Sequence, residues 1–222
     1  METAANLKME LSPAAFGAAS RFTWRHHLMK SLKGVIHVGA NTGQECDEYG
    51  SYGLNVLWIE PIPRAFSTYP NQQALKYLVL DEDDETKTLH VSNNDSGLSS
   101  SILELTLHRD VCPSVHFTRD IKLRSHKLDT IIDTEHINLS NYDGLVVDTQ
   151  GSQLLILKGA QRVLQTVRMV KVAVADFEAY AGCPRPEQIA HFLRDYGLRN
   201  WTRTPLAKHS SGGCYYDIYL RN

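Results

Sequence analysis

Gly34-Val35-Ile36-His37-Val38-Gly39-Ala40-Asn41-Thr42-Gly43-Gln44-Glu45 is the stretch that decides the fold of this chain. Val35, Ile36 and Val38 are apolar and β-branched, as expected of a strand covered on both faces. Gly39 lets backbone come close to a ligand, and Gly43 relieves the start of a helix. Thr42 with Glu45 three residues on fits a capping box, so the helix is expected to begin there. A strand, a glycine turn and a helix in this order form a nucleotide cradle. As a glycine pattern alone it is incomplete, because a dinucleotide fingerprint asks for a third glycine.

Working outward, Asn55-Val56-Leu57-Trp58-Ile59-Glu60-Pro61 is a second apolar run, closed by a carboxylate and a strand-stopping proline. Glu60 follows Gly39 by 21 residues, close to the ~20 expected of an acid that takes the ribose hydroxyls of an adenosine. The alternative is an ordinary surface glutamate at a strand end. A diphosphate would be drawn to the helix N-terminus, yet the first turn here carries Glu45, Asp47 and Glu48, which repel it. S-adenosylmethionine has no phosphate, and its sulfonium and amine are cationic. Charge therefore favours S-adenosylmethionine over a nicotinamide or flavin dinucleotide.

The chain has 222 residues, 42% of them hydrophobic and 22% charged, which suits one soluble domain with an extension. We place the N-terminal helical extension at 1–33 and the main domain at 34–222. A net charge of −2 gives no basic footprint for nucleic acid. No apolar run approaches the ~20 residues that span a bilayer, so no membrane partner is expected. The start is too weakly apolar for a signal peptide across Pro13–Ala19. Cys46, Cys112, Cys183 and Cys214 are widely spaced and read as free thiols, which points to a cytoplasmic protein.

In the extension, Phe22, Trp24, Leu28 and Leu32 have roughly helical spacing. The plain reading is a helix packed on the sheet edge; a lid over the cofactor or a homodimer contact is the alternative. After Glu60, Arg64–Thr68 has room only for a short helix between prolines. Leu75–Leu80 and Thr86–Val91 read as strands, and the acidic run Asp81–Glu85 between them as a turn. Residues 92–101 form a polar loop, read as a flap or as surface filler. Gly144–Val147 is a buried strand ending at Asp148, on the rim shared with Gly39 and Glu60. A helix follows from Gly151, with Leu154, Leu155, Leu157, Val163, Leu164 and Val167 on one face. Met169–Ala175 is another buried run. Pro186 opens a helix through Tyr196 that Gly197 halts. Trp201–Thr204 and Tyr215–Leu220 alternate like an antiparallel pair closing one edge. The whole is an α/β three-layer sandwich on a mostly parallel sheet.

Five pieces, in order, resemble the FkbM-type S-adenosylmethionine-dependent methyltransferases. They are Ile36–Glu45, Trp58-Ile59-Glu60-Pro61, Lys127-Leu128-Asp129-Thr130-Ile131, Asp148-Thr149-Gln150-Gly151 and Leu157-Lys158-Gly159-Ala160. The resemblance spans about residues 34–220. It implies a class I methyltransferase, Rossmann-like fold with a seven-stranded sheet whose last strand is antiparallel. It also implies methyl transfer to a hydroxyl of a sugar, glycan or secondary metabolite. The cofactor site it implies contains His37, Gly39, Ala40, Asn41, Glu60, Pro61, Asp81 and Asp148. Gly39, Ala40 and Asn41 would line the methionine end, Glu60 the ribose, Asp81 the adenine, and Asp148 the sulfonium and amine. Two departures stand out. His37 occupies a place where many members carry an acid, and Gln150 and Gln153 stand where glutamates are frequent.

A hydroxyl acceptor benefits from a base as its proton leaves. Asp148 on the rim and His209 before the last strand are the catalytic candidates, followed by Asp176 and Glu178. The remaining histidines show no ligand-like grouping, so no metal is expected; a Mg²⁺ site at Asp148, Asp176 and Glu178 is the alternative. Two rival functions remain: a nicotinamide-dependent oxidoreductase on a similar sheet, and a cofactor-binding interaction module without activity.

Overall fold

The computed structural model describes residues 18–62, 73–210 and 212–222, with side chains from residue 24 onward except that of residue 95. The expected helix at Arg64–Thr68, most of the Pro13–Ala19 stretch and the side chain of Phe22 lie outside this description. Its centre is a seven-stranded sheet in the order β3-β2-β1-β7-β8-β10-β9. Strands β1 (Gly34–Val38), β2 (Asn55–Ile59), β3 (Gln73–Leu75), β7 (Gly144–Val147) and β8 (Met169–Ala175) run parallel. The last strand, β10 (Cys214–Arg221), is antiparallel to both β8 and β9 (Asn200–Lys208). Pro205 is tolerated in β9 because that strand is the edge of the sheet.

Side chains alternate across these strands, so each strand feeds two cores. Ile36, Leu57, Leu145, Val170 and Val172 face α4 (Leu128–Thr134), α5 (Gln153–Lys158), α6 (Gln161–Leu164) and α7 (Pro186–Arg194). Val35, Trp58, Val146 and Met169 face α1 (Ala18–Lys30) and α2 (Cys46–Ser51) through Leu28, Met29 and Tyr49. Helix α1 therefore covers a sheet face and not the sheet edge: the Trp24 ring meets Tyr219 of β10 edge-on at 5.2 Å. Arg25 fastens it further, donating to both oxygens of Glu48 at 2.8 and 2.9 Å.

Three local expectations change. The capping box does not form: α2 starts at Cys46, and its N-cap Glu45 makes no side-chain cap bond. Leu75–Leu80 is not one strand. It splits at Lys76–Tyr77 into β3 and β4 (Leu78–Val79), and β4 joins a second sheet with β5 (Thr86–Ser92) and β6 (Phe117–His126). β6 is fully buried only at Ser125, which suits a small outer sheet and not a central strand. The long helix after Gly151 breaks into α5 and α6 at Gly159, where a Cβ would lie 2.1 Å from the Leu80 carbonyl oxygen. Asp129 caps the new start, accepting from the Arg162 and Val163 amides at 2.8 and 3.1 Å. Its own amide donates to the Gly159 carbonyl. The motifs around Asp129 and Gly159 are thus two halves of one joint.

No described helix is long and apolar enough to cross a membrane. The four cysteines are free thiols.

Candidate functional site at the sheet rim

The register of the strands lays out two rows of side chains on the face beneath α1 and α2. The lower row runs Trp58, His37, Val146, Lys171, Tyr219 across β2, β1, β7, β8 and β10. Two residues further toward the rim stand Glu60, Gly39, Asp148, Ala173 and Asp217. Asp217 pairs with Ala173, the Gly39 amide donates to Ile59, and the Asp148 amide donates to Val38. Three of the predicted site residues thus end three adjacent parallel strands.

Gly39 has φ +84°, and a Cβ there would sit 2.1 Å from the Asp148 carbonyl oxygen. Only glycine permits that approach. The chain then turns through Ala40, fully buried, and Asn41, at φ 43°. The Asn41 amide donates to one oxygen of Glu60 at 3.0 Å, and the Ile62 amide, just past Pro61, donates to the other at 2.9 Å. Burial raises the pKa of Glu60, and these two amides pull it partly back. The carboxylate is therefore held between its own loop and the loop after β1, and its further lone pairs can accept from a ligand.

Asp148 is half-buried, and its pKa is raised to about 7. Loss of water is the main cause; Lys171 pulls the value down, while Glu45 and Asp217 push it up. Glu45 is itself raised, chiefly by burial. His37 stands one row below the rim, fully buried between Trp58 and Tyr49, and its Nδ1 lies 3.2 Å from the Tyr49 hydroxyl. Burial, then Lys171, lowers its pKa to about 3, so the ring is neutral.

Asp81 is not brought to this group. It follows β4, its backbone lies against Gly159, and no described contact joins it to the rim residues. His209 lies on the same rim, in the hairpin between β9 and β10. It is buried against Phe177, with ring centroids 4.9 Å apart, and its Nε2 is 3.1 Å from Asp110. Asp176 and Glu178 are exposed and accept from the Cys214 and Gly182 amides. Among the described residues no group of three His, Cys, Asp or Glu side chains could hold a metal ion.

Gln153 donates to the Thr149 and Ala173 carbonyls at 2.6 and 2.8 Å, locking the loop after Asp148 onto β8. An ionised glutamate could donate neither bond, and a protonated one could donate only one of them. The glutamine here is a structural clamp.

Two polar groups escaped the sequence reading. Lys171 interrupts the apolar run Met169–Ala175, and its Nζ lies 3.3 Å from Asp217, both buried. The interruption was visible; the partner, 46 residues on, was not. The second group is Ser99, His108 and Tyr215. His108 opens α3 (His108–Val111), with Nε2 3.0 Å from Ser99 and Nδ1 2.5 Å from the Tyr215 hydroxyl. Burial lowers its pKa to about 4. Ser101, two residues after Ser99, donates to the Gln150 carbonyl, which places this segment over the loop after β7. Nothing in the spacing of these residues announces the contact.

A family model described as the methyltransferase FkbM domain matches residues 37–199. Among solved structures, the methyltransferase FkbM from Methylobacillus flagellatus is 15% identical with TM-score 0.47, over 83% of this chain and 43% of that one. The chain thus spans less than half of that protein's length. The 1,6-didemethyltoxoflavin-N1-methyltransferase of Burkholderia thailandensis, with bound S-adenosylhomocysteine, is 10% identical with TM-score 0.46 over 92% and 77% of the two chains. An O-methyltransferase from Bacillus cereus in complex with S-adenosylhomocysteine is 12% identical with TM-score 0.43, over 99% and 86%. Curated proteins gave no match.

Proposed function

Because the chain belongs to the FkbM methyltransferase family, we propose that it moves the methyl group of S-adenosylmethionine to a hydroxyl of a small-molecule or glycan acceptor. The observation that carries this reading is the row Glu60, Gly39, Asp148 at the ends of three adjacent parallel strands. The residues fit the group. Gly39 keeps the loop low enough for a ligand to lie over it, and two desolvated carboxylates suit hydroxyls and a cation better than a phosphate.

S-adenosylmethionine, when bound, supplies a methyl group activated by a positive sulfur. The chain's part is to hold and exclude. Gly39, Ala40 and Asn41 would border the methionine end, with His37 as neutral support beneath them. Glu60, oriented by the Asn41 and Ile62 amides, would accept from the ribose hydroxyls, and Pro61 would fix the turn behind it. Asp148 would pair with the cationic end. Alignment of acceptor and methyl group in a dry site supplies several kcal/mol. His209, steadied by Asp110, is the proposed proton acceptor for the hydroxyl, and Asp148 is the second candidate.

Transfer of a labelled methyl group from S-adenosylmethionine into a metabolite or glycan extract tests the reading. A product labelled on oxygen supports it. Binding of S-adenosylhomocysteine with no transfer to any fraction would favour an interaction module, and label on nitrogen or carbon would overturn the hydroxyl assignment.

A further inference from the structure

Lys171 and Asp217 form a buried ion pair beside the aromatic and apolar cluster that packs under α1 and α2. A pair of this kind adds little to stability, since an apolar pair of similar volume does as well or better. Its placement suggests another purpose. Lys171 sits in the lower row opposite Tyr219, while Asp217 sits two residues nearer the rim, opposite Ala173. The 3.3 Å bond therefore draws the ammonium up toward the rim row. In that row Ala173 separates Asp217 on one side from Asp148 on the other. A residue as small as alanine leaves the cation in view of both carboxylates.

We propose that Lys171, held by Asp217, is a positioning residue of the cofactor site, supplying the buried positive charge that lets Asp148 stand as a carboxylate facing the cofactor's cationic end. The inference rests on the cofactor reading above. The other charged and titratable groups facing this interior are Glu45 from the loop before α2, Tyr49 from α2, His37 from β1 and Tyr219 from β10. Arg25 and Glu48 close it on the helix side. Lysine is the one member of the set whose charge pulls Asp148 toward ionisation, and Asp217 opposes it.

The two substitutions must therefore act in opposite directions. The Asp148 carboxyl is followed by carbon NMR across a pH titration of the free chain, alongside calorimetric affinity for S-adenosylhomocysteine against pH. In K171M the Asp148 midpoint moves up by a pH unit or more, and affinity at pH 7 falls about tenfold. In D217N the midpoint moves down, and K171R keeps the wild-type midpoint. Midpoints that stay put, or that move the same way in K171M and D217N, overturn the proposal. If K171M does not fold, D217N decides alone: a downward move supports the assignment, and no move or an upward one sinks it. Failure of the wild type to bind S-adenosylhomocysteine would instead defeat the cofactor reading, while the NMR midpoints still judge Lys171.

Discussion

Toward α4–α7, strands β1, β2, β7 and β8 present Ile36, Leu57, Leu145, Val170 and Val172, while toward α1 and α2 the same strands present His37, Trp58, Val146 and Lys171. The first face is apolar from end to end and is covered by four helices. The second admits a histidine and a lysine below its rim and an aspartate, Asp217, in the rim row, each buried. Strand alternation lets one sheet do both. The apolar face supplies most of the burial that holds the fold, which leaves the other face free to carry charge toward Asp148. Damage to the first should appear as lost stability, and damage to the second as altered binding.

The largest effect should come from the apolar face. Leu145→Ala empties a fully buried site and should cost about 2–5 kcal/mol in denaturant unfolding, with S-adenosylhomocysteine affinity of the folded fraction unchanged. Equal loss of affinity would mean the faces are not separable. Next, Glu60→Ala removes the acceptor that fixes the Asn41 and Ile62 amides. It should lower S-adenosylhomocysteine affinity by about a hundredfold, roughly 2.7 kcal/mol, in a calorimetric titration. Wild-type affinity would show the ribose assignment to be wrong.

A smaller effect follows from Asp148, whose pKa rises from 3.8 to about 7 in the folded chain. An acid that holds its proton more tightly when folded contributes full stability below its ordinary range. That contribution declines as pH rises to about 7 and stays lost above. Asp148→Asn should therefore be more stable than wild type at pH 8, by about 1 kcal/mol or more, with the advantage vanishing near pH 4. Thermal unfolding at the two pH values checks it; an advantage that persists at pH 4 would rule out the proton as its source. Smallest of all, Arg25→Met breaks a partly exposed ion pair to Glu48 and should cost under about 1 kcal/mol, reduced further by salt. A larger loss would mean that α1 is a principal support of the polar face.

What could be read in the sequence was what depends on near neighbours. β1, β2 and β7 are apolar runs closed by glycine, proline or a carboxylate, so their location and the rim they share follow from local pattern. The places of Gly39 and Glu60 at two of these strand ends follow from the same local pattern. The break at Gly159 was hidden, because the cause is the Leu80 carbonyl nearly eighty residues earlier. β4 was hidden too, since its choice of the second sheet depends on Ser125 and His126. The expected capping box at Thr42 and Glu45 gave way to a tight turn closed by the bond from the Gly43 amide to Ala40. That turn starts the helix later and leaves Glu45 facing the rim acids. Asp81 is a rim residue only if Leu75–Leu80 is one strand of the main sheet, and β4 belongs to the second sheet. Lys171 was in plain view but had no meaning without Asp217 across the strand.

The row of Glu60, Gly39 and Asp148 is most directly tested by one calorimetric comparison on the wild-type chain, titrating S-adenosylhomocysteine and NADH in turn at pH 8. Saturable binding of the first and none of the second is the expected outcome. Binding of NADH in preference, or of neither, would contradict a site built for an adenosine that carries an amino-acid chain in place of a diphosphate.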